Sequence, residues 1–425
     1  MTALQNLGVD TRHVFACDKD AQAKKTILAN HKPEVFYDDL CKRDNSSAPE
    51  SDLYVAGFPC QPFSEAGLAQ GFEDLRGRGQ IFFEICDYLE KKQPRCFVLE
   101  NVKGIINHKG GTTFQTVLQA LCKIGKGAYT VSWDKLNTKL HGVPHNRERV
   151  YFVGILTRRA SAPFEFPKPL ETCPSIEQIL EPCTRKPSSE NLPPASQTLA
   201  RRNVKVALQE LRAKGHDPLK EPWVVEIDCT TPRLQYVLGT SPCITVRRGN
   251  GHWITNRGRR MNKAELMRLQ GMDLGKFKQV VSDNALGRHI GNTMSVNVLE
   301  RLFVRLLPAA GLCAASELTD RWEVAARRGL CAVRPAALRS VASALRVAGV
   351  AAKVSAKVKV KVAKAATTTS RRTKLSTRAT RAAIAAADRR RLGSAVQKRY
   401  RAAREGMLKA RLAAPTLKRK RVGAV

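Results

Sequence analysis

The stretch SDLYVAGFPCQPFSEAG, residues 51–67, joins two different kinds of chain. Its first seven residues are a short apolar run closed by glycine, the pattern of a buried β-strand. The rest sets Cys60 between Pro59 and Pro62, each of which fixes a backbone φ and stiffens the turn. A cysteine that only fills a core needs no such frame. In open α/β sheets, ligands bind just beyond the carboxyl ends of the strands, and Cys60 stands at that place. A thiol near a helix N-terminus or cationic groups ionises more readily and becomes a strong nucleophile.

Outward from this stretch, apolar runs alternate with amphipathic ones over residues 1–156. RHVFACD (12–18), RCFVLEN (95–101) and RVYFVGIL (149–156) read as further strands. KDAQAKKTILANH (19–31), GQIFFEICDYLEKK (79–92) and TTFQTVLQALCKIG (112–125) read as helices. In the second of these, Ile81, Phe82, Ile85 and Leu89 share one face. This alternation predicts a parallel sheet covered on both faces. Residues 157–240 lose the periodicity, and prolines cluster, so a loop-rich insert is expected there. MNKAELMRLQGMD (261–273) and NTMSVNVLERLFVRLL (292–307) return to helix, with Gly271 a natural stop for the first.

Composition bounds the rest. The chain has 425 residues and is 43% hydrophobic, enough for a large core. No apolar run is long enough to span a bilayer. The opening residues MTALQNLGVD show no basic-then-apolar pattern, and the twelve cysteines form no C-x-x-C pair. They are expected to be mostly reduced core thiols of an intracellular protein, with Cys60 the exception. The formal charge is +36, and residues 311–425 alone carry 29 Lys and Arg against 5 acidic residues. Such an excess implies a polyanionic partner. That tail, with Trp322 and Tyr400 its only aromatic residues, is expected to be disordered or helical only on contact.

Other chemistry-bearing residues fall at the same sheet edge as Cys60. LENVKG (99–104) ends a strand and brings Glu100 there. HGVPHNRERV (141–150) brings Arg147 and Arg149. Asp18 ends the first strand, where an acid either meets ribose hydroxyls or caps a helix. Singly, these residues are commonplace. Their order and spacing carry the information.

In that order the motifs resemble the C5-cytosine DNA methyltransferases. GFPCQPFSEAG is similar to the family's nucleophile motif, and LENVKG to its E-N-V motif. GVPHNRERVYFVG resembles its G-x-P-Q-x-R-x-R motif, with His145 where glutamine is usual. RRMNKAELMRLQGMD and HIGNTMSVNVLERL resemble its closing motifs, so the likeness covers about residues 1–307. The resemblance implies a Rossmann-like, class I S-adenosylmethionine-dependent methyltransferase fold. Its parts would be a catalytic and cofactor domain over 1–156, a small irregular target-recognition region over 157–255, a return to the catalytic domain over 256–307, and the basic tail over 308–425.

The same resemblance implies the chemistry. Cys60 would add to C6 of a cytosine swung out of duplex DNA, with Glu100, Arg147 and Arg149 completing the catalytic set. Asp18, Lys19, Asp39, Pro59, Ile81 and Asn292 would hold S-adenosylmethionine, and no metal is implied. Gln61, Arg76 and Arg78, in the loop after Cys60, and Arg247 and Arg248, in the recognition region, would touch DNA. Family members begin with a strand and a Gly-rich turn. MTALQNLGVD resembles the helix after that turn, so a central strand is expected to be missing, by truncation upstream of Met1. The basic runs RRTK (371–374) and LKRKR (417–421) read as nuclear-import signals and the tail as a chromatin-binding arm. Two other readings compete: a catalytically silent DNA-binding relative, and an RNA cytosine-5 methyltransferase. A zinc deaminase is disfavoured, because PCQPF lacks the second cysteine of P-C-x-x-C.

Overall fold

The computed structural model of the chain describes residues 1–58 and 81–333, together with the backbone of 360–366. Its main sheet is built from β1 (Thr11–Asp18), β2 (Val35–Tyr37), β3 (Leu53–Gly57), β4 (Cys96–Val102), β5 (Tyr129–Asn137), β6 (Glu148–Leu156) and β11 (Val360–Ala366). Their order across the sheet is β2-β1-β11-β3-β4-β6-β5. The expected parallel pairing holds from β2 to β4 and stops there, since β6 runs antiparallel to both β4 and β5. The turn from β5 into β6 is short, and a short connection can only reverse the chain.

The strands of the sheet's middle are apolar on both faces. In β3, Tyr54 and Ala56 join one core with Phe97 and Leu99 of β4, while Leu53 and Val55 join another with Cys96 and Val98. That alternation, buried on each side, turns the period-two signal into a continuous apolar run. Helices α3 (Ile81–Lys92) and α4 (Thr112–Lys123) cover the first face with Phe82, Ile85, Leu89, Phe114, Val117 and Leu121. Helices α1 (Thr2–Asn6) and α8 (Val296–Ala309) cover the second with Leu4, Leu302, Phe303 and Leu306. Helix α2 (Ala21–Asn30) starts at Asp20, whose carboxylate accepts from the amides of Gln22 and Ala23.

The insert is better ordered than its prolines suggest. Four short antiparallel strands, β7 (Trp223–Val225), β8 (Tyr236–Leu238), β9 (Trp253–Ile254) and β10 (Arg259–Arg260), form a second sheet in the order β10-β9-β7-β8. The fourth strand lies beyond residue 255. The sixteen-residue helix α5 (Thr198–Ala213) packs Ala200, Val204, Ala207, Leu208 and Leu211 inward, the first four against Val225, Ile227 and Trp253. Asn203 fixes the contact by donating to the carbonyls of Ile227 and Cys229.

Three expectations need correction. The tail does not lose its structure at about residue 311. Helix α9 (Arg321–Ala326) follows, and Trp322, 1% exposed, packs among Val143, Leu266 and Ala332 while its indole N–H donates to Glu300. Composition averaged over the whole tail hid this segment. No strand precedes α1, as expected, yet the central slot of the sheet is not vacant, because β11 stands between β1 and β3. Nor are the cysteines mostly core residues. Of the eleven described, four are buried and four are exposed. Replacing Trp322 with alanine should cost about 3–5 kcal/mol in urea unfolding, the usual loss for a buried aromatic. A cost below about 0.5 kcal/mol would show that 311–333 lies outside the core.

Candidate active site

Strand register assembles the edge where the predicted residues meet. Gly57, the last residue of β3, pairs with Glu100 of β4, and Glu100 pairs with Tyr151 of β6. Two residues on, Val102 pairs with Arg149. A Cβ at Gly57 would press to 3.2 Å on the terminal methyl of Met294, the end of a flexible side chain, and would meet Glu100 Oε2 at an ordinary contact distance of 3.6 Å, so β3 runs alongside the carboxylate. Arg149 Nε lies 3.1 Å from Glu100 Oε1, with both side chains nearly buried. Among the described residues Glu100 Oε1 nevertheless accepts no well-aligned hydrogen bond, which leaves acceptor capacity at this carboxylate. Cys60 and Pro59 lie outside the described residues, as do Gln61, Arg76 and Arg78. Phe58, two residues before Cys60, is described, and its ring packs against Phe82.

Arg147 is used differently from Arg149. Its side chain is buried, and its guanidinium donates to the carbonyl of Ile244 at 2.8 Å, of Thr293 at 2.9 Å and of Gly291 at 3.3 Å. It therefore clamps the irregular segment around Ile244, after the insert, to the end of helix α7 (Asp283–Asn292). So buried and so engaged, it is not placed to meet a DNA phosphate. Burial, and then the charge of Arg149, hold its pKa below the ordinary value. His145 completes the clamp. Its Nδ1 lies 2.9 Å from the Leu269 carbonyl, and Ile244 N–H donates to its Nε2 at 3.0 Å. Only the neutral Nδ1–H form satisfies both partners. Burial, with Arg147 nearby, keeps the ring uncharged.

Cys243 is a member of this cluster that sequence reasoning missed. Arg147 and Arg149 donate to its sulfur at 3.7 and 3.9 Å. Burial pushes the thiol up, but the two guanidiniums outweigh it and hold the pKa below the ordinary thiol value. Nothing local in SPCITVRR marks this position, since its partners are about a hundred residues away.

Much of the closing motifs holds the scaffold. Arg259 makes a two-pronged ion pair with buried Glu265, which also accepts from the amides of Glu181 and Asn262. Gln270 donates to the carbonyl of Ile290 and accepts from Ser295, whose hydroxyl meets that of Thr138. Gly271 has φ +74°, the left-handed region, and a Cβ there would come 2.8 Å from the amide of Asn297.

On the cofactor side, Asp18 is buried at the end of β1, with one oxygen accepting from the amide of Asp20. Lys19 reaches Asp39 Oδ2 at 3.1 Å, while Asp39 Oδ1 accepts from the amide of Cys41. Ile81 opens α3, and exposed Asn292 closes α7. Two carboxylates at the carboxyl ends of adjacent strands fit a ligand bearing a ribose diol and an exocyclic amine. In the insert, Arg247 is exposed, but Arg248 is bonded to Glu226 through Nε at 2.7 Å. Arg257 is likewise engaged, pairing with Glu177 at 2.5 Å. Among the described residues there is no cluster of metal ligands and no helix long and apolar enough to cross a membrane.

The profile of the C-5 cytosine-specific DNA methylases matches residues 2–307. The type II methyltransferase M.NgoBI of Neisseria gonorrhoeae is 34% identical over 291 residues, 68% of this chain and 84% of the relative. M.HaeII of Haemophilus aegyptius is 33% identical over the same shares. A solved DNA modification methyltransferase encoded within an E. coli prophage shares the fold, with a TM-score of 0.50 and 18% identity over 70% of this chain and 92% of its own.

Two outcomes follow from this geometry. His145, His141 and His252 are buried and held below the ordinary imidazole value, the last two at about 3. In the unfolded chain each takes up a proton below about pH 6.5, so folding weakens as pH falls from there, by about 1.4 kcal/mol per pH unit for each histidine. His145→Gln should match the parent near pH 7.5 in urea unfolding and lose one histidine's worth of that slope between pH 6 and 5. Parallel slopes would mean that His145 is not held neutral. For DNA binding, Arg247→Ala should lower the slope of log K against log salt by about one. Arg248→Ala should affect thermal stability more than that slope, and the reverse ranking would reject the assignment.

Proposed function

The chain belongs to the C-5 cytosine-specific DNA methylases, enzymes that transfer a methyl group from S-adenosylmethionine to C5 of cytosine in DNA, and on that premise we propose how its residues divide the work. C5 is a poor nucleophile. Addition of the Cys60 thiolate to C6 makes the ring an enamine whose C5 can attack a methyl group. Glu100 holds N3 and the exocyclic amine and stabilises the protonated adduct, and Arg149 binds O2. Loss of the C5 proton then expels the thiolate. The base must first leave the duplex, at a cost of about a few kcal/mol.

The observation that carries this reading is the pairing of Glu100 with Arg149 at the end of β4, one strand from the segment that leads to Cys60. An acid pre-oriented by a guanidinium, yet with a buried oxygen that no described residue meets in a well-aligned hydrogen bond, is suited to a base edge that presents donors. Arg147 acts through position, by fixing the segment around Ile244 and the end of α7 beside Arg149. S-adenosylmethionine supplies an electrophilic methyl when bound. Asp18 would hold its ribose hydroxyls, Lys19 would lie beside its adenine and Asp39 would take the adenine amine, with Pro59, Ile81 and Asn292 lining the same edge. Gln61, Arg76, Arg78 and Arg247 would face the DNA. Arg248 would do so only by leaving Glu226.

The tail beyond residue 366 would add a salt-dependent, sequence-independent hold on DNA, or on chromatin, phosphates. The reading of 371–374 and 417–421 as nuclear-import signals gains no support, since the relatives above come from bacteria. The competing reading, a silent DNA-binding relative, rests on the missing first strand with its Gly-rich turn and on the basic tail, and methyl transfer separates the two. Transfer of labelled methyl to duplex DNA tests the scheme. Cys60→Ser should abolish transfer, and Glu100→Gln should slow it by about a hundredfold to ten-thousandfold without loss of DNA binding. Transfer retained by Cys60→Ser would show that another group is the nucleophile.

A further inference from the structure

The insert is built in layers, and its outer helix packs with one face only. On one side of the second sheet, Val224 and Ile254 join a core that contains Val143, Ile244 and Leu266. On the other side, Val225 and Trp253 receive α5. The far side of α5 exposes Arg202, Lys205, Gln209 and Arg212. At 3.6 residues per turn these four fall within about 80° of one another, in a row about 15 Å long. We propose that this row is a contact surface for the phosphates of duplex DNA, additional to the edge that carries Glu100 and Arg149, and that it holds the backbone without reading its sequence.

Three observations carry this. First, the chain matches cations with acids where they serve the fold. Arg248, Arg257, Arg259, Arg260 and Arg268 each pair with a carboxylate. Among the described residues Arg202, Lys205 and Arg212 have no such pair. The one acid of α5, Glu210, is turned aside and accepts from the Tyr236 hydroxyl. Second, the row costs the isolated helix stability and suits a backbone. Arg202 and Lys205 stand at i and i+3, where like charges repel. Gln209 extends the row with a neutral donor, and Arg, Lys and Gln are all side chains that bond phosphate oxygens. Its length of about 15 Å matches about four phosphates of one DNA strand at 3.4 Å of axis each. Third, charge selects the occupant. Residues 311–425 carry 29 Lys and Arg against 5 acidic residues, so the chain's own tail is repelled from this face. A second copy would bring the same row of cations. Duplex DNA, the polyanion on which the family acts, has the complementary sign.

The test uses the full chain and duplex DNA between about 50 and 200 mM salt. Arg202→Gln, Lys205→Gln and Arg212→Gln together should lower the slope of log K against log salt by about two to three. The fall should be the same on two duplexes of unrelated sequence. A control variant removes equal charge from exposed Lys123, Lys126 and Arg159, near the end of β6 remote from Arg149, and should keep the slope of the parent. An unchanged slope in the α5 variant would overturn the proposal. Equal falls in the two variants would do the same, because they would mark a bulk charge effect. A fall confined to one duplex would make the row a reader of sequence and overturn it as well. Acetylation of the unmodified chain, read by peptide mass spectrometry, needs no variant. Bound duplex should slow the reaction of Lys205 severalfold and leave that of Lys123 unchanged. Lys205 reacting at its free rate with DNA bound would refute the contact.

Discussion

The register of β3, β4 and β6 is the constraint on which the site depends. Two ladders place Gly57, Glu100 and Tyr151 in one row and Val102 and Arg149 two residues further on. Because side chains alternate along a strand, a one-residue slip of β4 would carry Glu100 to the opposite face and separate it from Arg149. Both faces of β4 are buried, so a slip would also exchange the residues that meet the two helical layers. The sheet's hydrophobic patterning therefore fixes the catalytic geometry as a by-product of fixing the core.

Around that register one arginine pairs with Glu100 at the sheet edge while others hold the scaffold. Arg149 faces Glu100, while Arg147, two residues earlier, is committed to backbone carbonyls and is buried. Both guanidiniums reach Cys243, so a thiol from the end of the insert is held at the same centre. The ion pair of Arg259 with Glu265 and the Gln270–Ser295–Thr138 chain of hydrogen bonds serve the same scaffold. A motif can thus recur for its fold and not for its reaction.

Much of this was legible in the sequence, and the gaps have physical causes. β1, β3, β4 and β6 are apolar runs, and α3 and α4 have clean amphipathic spacing, so each was readable locally. β5 was missed because Tyr129–Asn137 is largely exposed along its middle and carries no apolar run. α5 was missed although Ala200, Val204, Ala207, Leu208 and Leu211 have helical spacing, since flanking prolines pointed to loop. Trp322 was the tail's one strong apolar signal in its first half, and compositional averaging diluted it. β11 had no local signal at all, because only its distant partners make it a strand. At the site, Glu100 and Arg149 were readable from motif order. The commitment of Arg147 and Arg248 to partners within the chain was not, since those partners come from other elements.

The central claim is that Cys60 is the nucleophile facing the Glu100–Arg149 pair. It is tested most directly by reacting the full chain and S-adenosylmethionine with duplex DNA containing 5-fluorocytosine, followed by peptide mass spectrometry of the trapped adduct. The fluorine cannot leave as a proton does, so the enzyme–base bond persists. The account predicts the pyrimidine on the peptide bearing Cys60 and on no other. An adduct on Cys243, or no adduct while methyl transfer to ordinary DNA proceeds, would contradict it.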